Sequence, residues 1–184
     1  MHKFITFLLI LNFYSSAFSS VEENIISQMK LTNILSFNFS QKIDEKNEKG
    51  YCIIRYSKKI YCEYEGPDKK IIVSNGKSLV IKIRNSGNYY IYPLNKTPLE
   101  LLLDKEYLIS KINMLDAREV DNQFLAYKIF ENENEINIFF DKKNFNLVGW
   151  QTIDIYQNLS MTFISSIKIN EKIDDKIFIL PMND

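Results

Sequence analysis

The chain has 184 residues, 46% of them hydrophobic and 25% charged, and its 23 Lys plus Arg balance 23 Asp plus Glu. That length fits one domain, or two small ones at most. The 14% aromatic content excludes a disordered chain, the five Gly and four Pro exclude collagen-like and Gly-rich architectures, and the absent basic excess argues against a protein held to nucleic acid by phosphate contacts.

Residues 1–19 read as a secretory signal peptide. Lys3 supplies the positive start, residues 4–11 are apolar apart from Thr6, and Ala17-Phe18-Ser19 offers small residues where a signal peptidase reads. The run is too short for ~30 Å of hydrocarbon, which excludes a membrane anchor. Cleavage after Ser19 leaves a single domain, 20–184, and places it outside the cytoplasm. Cleavage also removes His2, the only histidine. Ser-His and Cys-His nucleophile pairs and imidazole-based zinc sites are thereby excluded. No motif points to a carboxylate-pair or Ser-Lys enzyme, so neither catalysis, nor a metal, nor a cofactor is expected.

Ile25, Ile26, Met29, Ile34 and Leu35 approximate helical spacing. The period then changes to two: Phe37, Phe39, Gln41 and Ile43 alternate with polar residues, as in a strand with one wet face. Residues 44–49 read as a charged turn ending at Gly50. Strands at 51–56 and 60–65 flank Ser57-Lys58-Lys59, and strands at 70–74 and 78–84 flank Asn75-Gly76, a strong hairpin signal. Tyr89 to Tyr92 follows as a short strand. Thr97-Pro98-Leu99-Glu100 opens a leucine-rich helix with Thr97 as N-cap. Strands resume at 111–120, 123–130, 135–141, 146–156 and 160–170, separated by Asp121-Asn122, 131–134, 142–145 and Gln157-Asn158. Asp174 to Phe178 is a final turn. Ten or eleven antiparallel strands at this spacing predict a sandwich or a barrel, and a long meander curls into a barrel or half-barrel.

Strand parity assigns the concave face. Phe37, Phe39, Leu79, Ile81, Ile83, Ile136, Ile138, Phe140, Phe163 and Ile167 should face the helices and line a hydrophobic cavity of at least ~300 Å³. Pro98, Leu99, Leu102 and Leu103 should form a lid over its mouth. Apolar-lined barrels without catalytic groups commonly carry hydrophobic ligands; the alternative is a filled core.

Several segments, in order, resemble the family of periplasmic outer-membrane lipoprotein carriers (LolA-like). They are Phe37-Asn38-Phe39-Ser40-Gln41; Gly50 with its hairpin and Glu63-Tyr64-Glu65-Gly66-Pro67; Ile71-Ile72-Val73-Ser74-Asn75-Gly76-Lys77; Tyr92-Pro93-Leu94-Asn95-Lys96-Thr97-Pro98-Leu99; and Leu147-Val148-Gly149-Trp150 with Asp154, then Asp175-Lys176-Ile177-Phe178. The resemblance implies a mainly β fold: an unclosed antiparallel barrel with an N-terminal helix and short helices over its concave face. It implies a monomeric periplasmic carrier that is not an enzyme. Its cavity would take the acyl chains of lipoproteins from an inner-membrane transporter and hand them to an outer-membrane receptor. A carrier of another lipid, such as a glycolipid or pigment, is the alternative on the same fold. The family's pattern also implies an Arg, followed by Pro, that latches the helices. Here the sequence is Ile54-Arg55-Tyr56-Ser57, with no Pro and with Tyr56 at the ungapped position. Arg55 is the candidate latch, with an exposed strand-end charge as the other reading.

Cys52 and Cys62 lie on the two arms of the Gly50 hairpin. If Arg55 pairs with Lys59 around a three-residue turn, the cysteines face each other within reach of a disulfide, a structural staple of ~2–3 kcal/mol. A two-residue turn, with Ser57 opposite Ile60, separates them.

Overall fold

The computed structural model describes residues 20–56, 58–131, 134–153 and 158–182. The expected signal peptide at 1–19, Ser57, the expected strand end at 154–156 with Asp154, and Gln157 lie outside the described residues.

Helix α1 (Val21–Leu31) starts where the chain supplies a capping box: the Ser20 hydroxyl accepts from the Glu23 N–H while the Glu23 carboxylate accepts from the Ser20 N–H. Ile25 and Met29, four residues apart, form its buried stripe. The helix ends earlier than the apolar spacing predicts. Ile34 and Leu35 belong to the next strand, because the Asn170 side chain accepts from the Asn33 and Ile34 N–H groups and draws the chain into extended form.

Among the described residues eleven strands follow: β1 (Ile34–Ile43), β2 (Lys46–Arg55), β3 (Lys59–Tyr64), β4 (Lys70–Asn75), β5 (Ser78–Ile83), β6 (Tyr89–Pro93), β7 (Arg118–Val120), β8 (Phe124–Glu131), β9 (Asn134–Asp141), β10 (Leu147–Ile153) and β11 (Leu159–Ile169). All adjacent pairs are antiparallel, in the order β6-β5-β4-β3-β2-β1-β11-β10-β9-β8-β7. The first and last strands join at the centre and the sheet does not close, so the fold is the mainly β, unclosed architecture expected.

Three local expectations are corrected. Of the charged run 44–49, only Asp44-Glu45 turns; Lys46 to Lys49 pair with Ile43 to Ser40 and extend the hairpin. The strand expected at 111–120 is helix α3 (Lys105–Ile112) followed by the three residues of β7. Its signals were Asp104, whose carboxylate accepts from the Tyr107 N–H, and Leu108 and Ile112, buried four apart. Thr97 does not cap helix α2 (Leu99–Leu103): its hydroxyl donates to the Leu94 carbonyl, closing the 3₁₀ turn Leu94–Lys96, and Pro98 takes the N-cap place without a side-chain bond.

Helices α1–α3 lie against one face of the sheet, and the core fills the space between. Cross-strand partners put Leu35, Phe37 and Phe39 beside Ile54, Cys52 and Gly50, then Ile60, Cys62 and Tyr64 beside those. Gly50 is required here: a Cβ would meet the Glu63 carbonyl oxygen at 2.1 Å and the Phe39 ring at 2.7 Å. That gap lets Phe39 and Tyr64 meet edge to face at 4.8 Å. Arg55 pairs with Lys59, the register of a three-residue turn, and Cys52 and Cys62 are opposite and bonded, with Cα atoms 4.1 Å apart. The other face is apolar too. Ile53, Ile71, Val73 and Val80 are buried there, and the 3₁₀ turn Asp175–Phe178 packs Phe178 over β3 and β4.

Candidate functional site: the helix-covered interior

The residues assigned to a cavity separate into three groups. Phe37, Phe39, Leu79, Ile136, Ile138 and Phe140 are buried in the core beneath the helices. They are packed, not lining an open chamber. The opening at the seam between α1, α3 and the β9–β10 turn, bounded by Met29, Leu108, Phe145 and Ile167, is about 30 Å³, well short of the several hundred expected. Ile81 and Ile83 share this face but are only half-buried. With Ile72 and their β6 neighbours Tyr90 and Tyr92 they form a greasy shelf running from the core toward the sheet edge.

Phe163 is on the opposite face, 52% exposed. The cause is a β-bulge. Ser36 pairs with Lys168 and Asn38 with Ser165, so β11 carries one extra residue, and Ser166 takes it up at φ 52°. Parity inverts across the bulge: Ile167 stays packed on the core and Phe163, four residues earlier, turns outward. There it borders a trough of about 920 Å³ with Asn38, Ser40, Lys49, Tyr51 and Arg84. That trough mixes aromatic and charged residues and faces away from the helices.

Of the residues expected to form a lid, Leu99, Leu102 and Leu103 pack into the core from α2. Leu102 and Leu103 are fully buried, Leu99 and Pro98 half-buried. Three polar ties hold this cover from outside. The Lys58 ammonium, in the β2–β3 turn, lies 2.8 Å from Asp104 Oδ2 and 3.1 Å from Glu100 Oε1. Its hydrogen bonds to Asp104 and then Glu100 hold it above the ordinary lysine range. Lys105 donates to the Thr32 carbonyl and to Asn33 Oδ1, tying α3 to the end of α1. Glu131 of β8 accepts from the Tyr107 hydroxyl at 2.9 Å and pairs with Lys111 at 3.1 Å.

Arg55 takes no part in this. Its guanidinium pairs with Asp175 and stacks 5.7 Å from the Phe178 ring centre, on the face away from the helices. Its neighbours in sequence alternate: Ile54 points to the core and Arg55 out, so the helix-holding cation comes from the turn, at Lys58. Sequence reasoning passed over Lys58 because a turn lysine in a Lys-rich chain carries no signal by itself.

A polar cluster marks the end of this face away from the helices. Gln41 donates to the Ser160 and Thr162 hydroxyls and accepts from the Tyr64 hydroxyl, while Lys70 pairs with Glu48 at 2.6 Å and lies 3.8 Å over the Tyr64 ring. Among the described residues no group of three His, Cys, Asp or Glu could hold a metal ion, and no helix is long and apolar enough to cross a membrane.

No curated protein matches the chain. Among solved structures it is similar to an uncharacterized conserved protein from Thermus thermophilus (TM-score 0.51, 8% identity, 87% of this chain and 92% of that one). It is also similar to a LolA superfamily protein from Nitrosomonas europaea (TM-score 0.45, 9% identity, 87% and 98%) and to a putative outer membrane lipoprotein-sorting protein domain from Vibrio parahaemolyticus (TM-score 0.46, 6% identity, 87% and 97%). At these identities the likeness concerns the fold. The family model described as "Outer membrane lipoprotein carrier protein LolA" matches residues 30–180, and with most of the chain inside that match, the chain belongs to the LolA family.

Proposed function

We propose that this chain is a periplasmic carrier whose interior, between the sheet and α1–α3, receives the acyl chains of lipoproteins. It would collect them from an inner-membrane transporter and deliver them to an outer-membrane receptor, without a cofactor and without covalent chemistry. The observation that carries the reading is the build of the cover. Short leucine-rich helices seal an apolar core, yet surface ion pairs and hydrogen bonds hold them to the sheet.

The filled interior sets the mechanism. Acyl chains gain ~0.8 kcal/mol per buried methylene, so a saturated chain can displace Leu99, Leu102 and Leu103 and take over their place in the core cluster that includes Phe37, Ile54 and Phe140. The shelf of Ile72, Ile81 and Ile83 offers a first resting place beside the core. Release then follows when the leucines reclaim their site, which keeps affinity moderate.

The test is the cargo. The protein purified from a membrane-envelope extract is extracted with organic solvent, and the lipid and peptide fractions are analysed by mass spectrometry. An acylated N-terminal cysteine peptide supports the proposal. A free glycolipid or pigment points to a carrier of another lipid, and no bound lipid in the presence of envelope counts against both.

A further inference from the structure

The two edges of the open sheet are built differently. Edge strand β7 has three residues, two of them charged: Arg118 and Glu119, the latter paired with Lys142 at 2.6 Å. Short, charged edges resist pairing with other chains. Edge strand β6, Tyr89–Pro93, has no charge and, among the described residues, no cover. Tyr89, Tyr90, Ile91 and Tyr92 are 44%, 54%, 47% and 40% exposed.

The hydrogen-bond pattern shows which backbone groups are free to pair. The Ile83 N–H donates to the Asn88 carbonyl, and the Leu94 N–H donates to the Lys77 carbonyl. Bonding positions alternate along an antiparallel pair, so Tyr90 and Tyr92 turn their backbone groups to β5. Tyr89, Ile91 and Pro93 turn theirs outward. Proline at the third of these costs β5 nothing, since it removes a donor only on the outer side. The free edge thus presents both groups of Tyr89, both of Ile91 and the carbonyl of Pro93.

We infer that β6 is a docking edge for an extended, acidic segment of another protein, which adds to the sheet as a further strand. The area argues for a segment and against a second folded copy. Four side chains about half-exposed, at roughly 200 Å² each, offer about 400 Å² per copy, half of what each partner of a stable dimer contributes. The charge argues for acidity. Residues 76–99 contain Lys77, Lys82, Arg84 and Lys96 and no Asp or Glu. Arg84 is neutralised by Glu63, whereas Lys77 and Lys96 are exposed at the Pro93 end with no carboxylate in ion-pair range among the described residues. An antiparallel partner would therefore begin with acidic residues opposite Pro93 and continue with alternating β-branched residues opposite Ile91 and Tyr89.

The experiment titrates the purified protein into the fluorescein-labelled peptide Asp-Asp-Val-Thr-Val-Thr-Val, followed by fluorescence anisotropy. Saturable binding is expected, weakened about tenfold by loss of outward pairing in Ile91→Pro and abolished for the same peptide with Lys in place of Asp. The Ile91→Pro change leaves the bonds to β5 intact, so melting should be unaltered. Should that variant fold poorly, a peptide N-methylated at the amide facing Ile91 makes the same deletion from the other side, with the same weakening expected. Absence of saturable binding, equal binding by Ile91→Pro or by the N-methylated peptide, or equal binding of the Lys peptide overturns the inference. Binding to phosphatidylglycerol vesicles in place of the peptide would make β6 a membrane-facing edge. A dimer in sedimentation that Ile91→Lys dissolves, without peptide binding, would make it a self-association edge; either result refutes the segment.

Discussion

Lys58→Met isolates the polar tie between the β2–β3 turn and the helical cover. The ammonium contacts Asp104 at 2.8 Å and Glu100 at 3.1 Å, with the three side chains 34%, 29% and 26% exposed. Partly exposed pairs of this kind contribute ~0.5–1 kcal/mol each, so the tie stabilises the closed cover by about 1–2 kcal/mol. Removing it should raise the open fraction roughly five- to thirtyfold. Hydrogen exchange at residues 99–112 should accelerate by that ratio while β8 and β9 keep their protection, and association with a fluorescent acyl probe should speed up in parallel. The pH dependence has a fixed sign. The folded pKa of Lys58 is raised, so its contribution is complete below the ordinary lysine value of ~10.4 and is lost as pH rises through the raised value. Probe association should quicken over that range in the natural protein and less steeply in Lys58→Met, where only the Lys111–Glu131 tie and its neighbours still titrate. Unchanged exchange at 99–112, or equal acceleration across the sheet, would refute the tie.

Three other changes probe the parts around it. Gly50→Ala drives a Cβ into the Glu63 carbonyl and the Phe39 ring, so unfolding in urea should shift by ~2–4 kcal/mol; a shift under 1 kcal/mol would mean the hairpin relaxes freely. Reducing Cys52–Cys62, which closes a separation of ten residues, should lower stability by ~2–3 kcal/mol, and alkylation followed by intact-mass measurement should find two thiols only after reductant. Leu102→Asp puts an unpaired charge at a fully buried site; the cover should leave, acyl-probe binding weaken and the β signal in circular dichroism persist, whereas loss of the whole signal would make α2 ordinary core.

Hydropathy alternation revealed most of the sheet because one face of β1 and β9 is dry and the other wetter. It was less reliable where both faces are covered. Ile53, Val73 and Val80 are apolar because the C-terminal turn with Phe178 packs on them, a contact between distant segments that no local pattern announces. It also failed at Ser166, where one inserted residue reverses the facing of Phe163. Ser is an ordinary strand residue on a wet face, and its left-handed φ leaves no compositional trace. The run 44–49 was too polar to read as paired, yet Lys46 to Lys49 extend β2 because β1 supplies partners. The cysteine register depended on turn length alone, so sequence supplied two answers and geometry one. The cover was half legible: the leucines of α2 were plain, but the charges that fasten it come from Lys58, Lys105 and Glu131, which only the fold brings near.

The central claim is that the helical cover gives way to acyl chains. It is tested most directly by hydrogen exchange of the purified protein with and without a synthetic triacylated cysteine peptide. The account predicts a one-to-one complex in which α2 and α3, residues 99–112, lose protection while Phe37, Ile138 and their strand neighbours keep or gain it. A complex that leaves 99–112 as protected as before, or no complex with the acylated peptide at all, would contradict it.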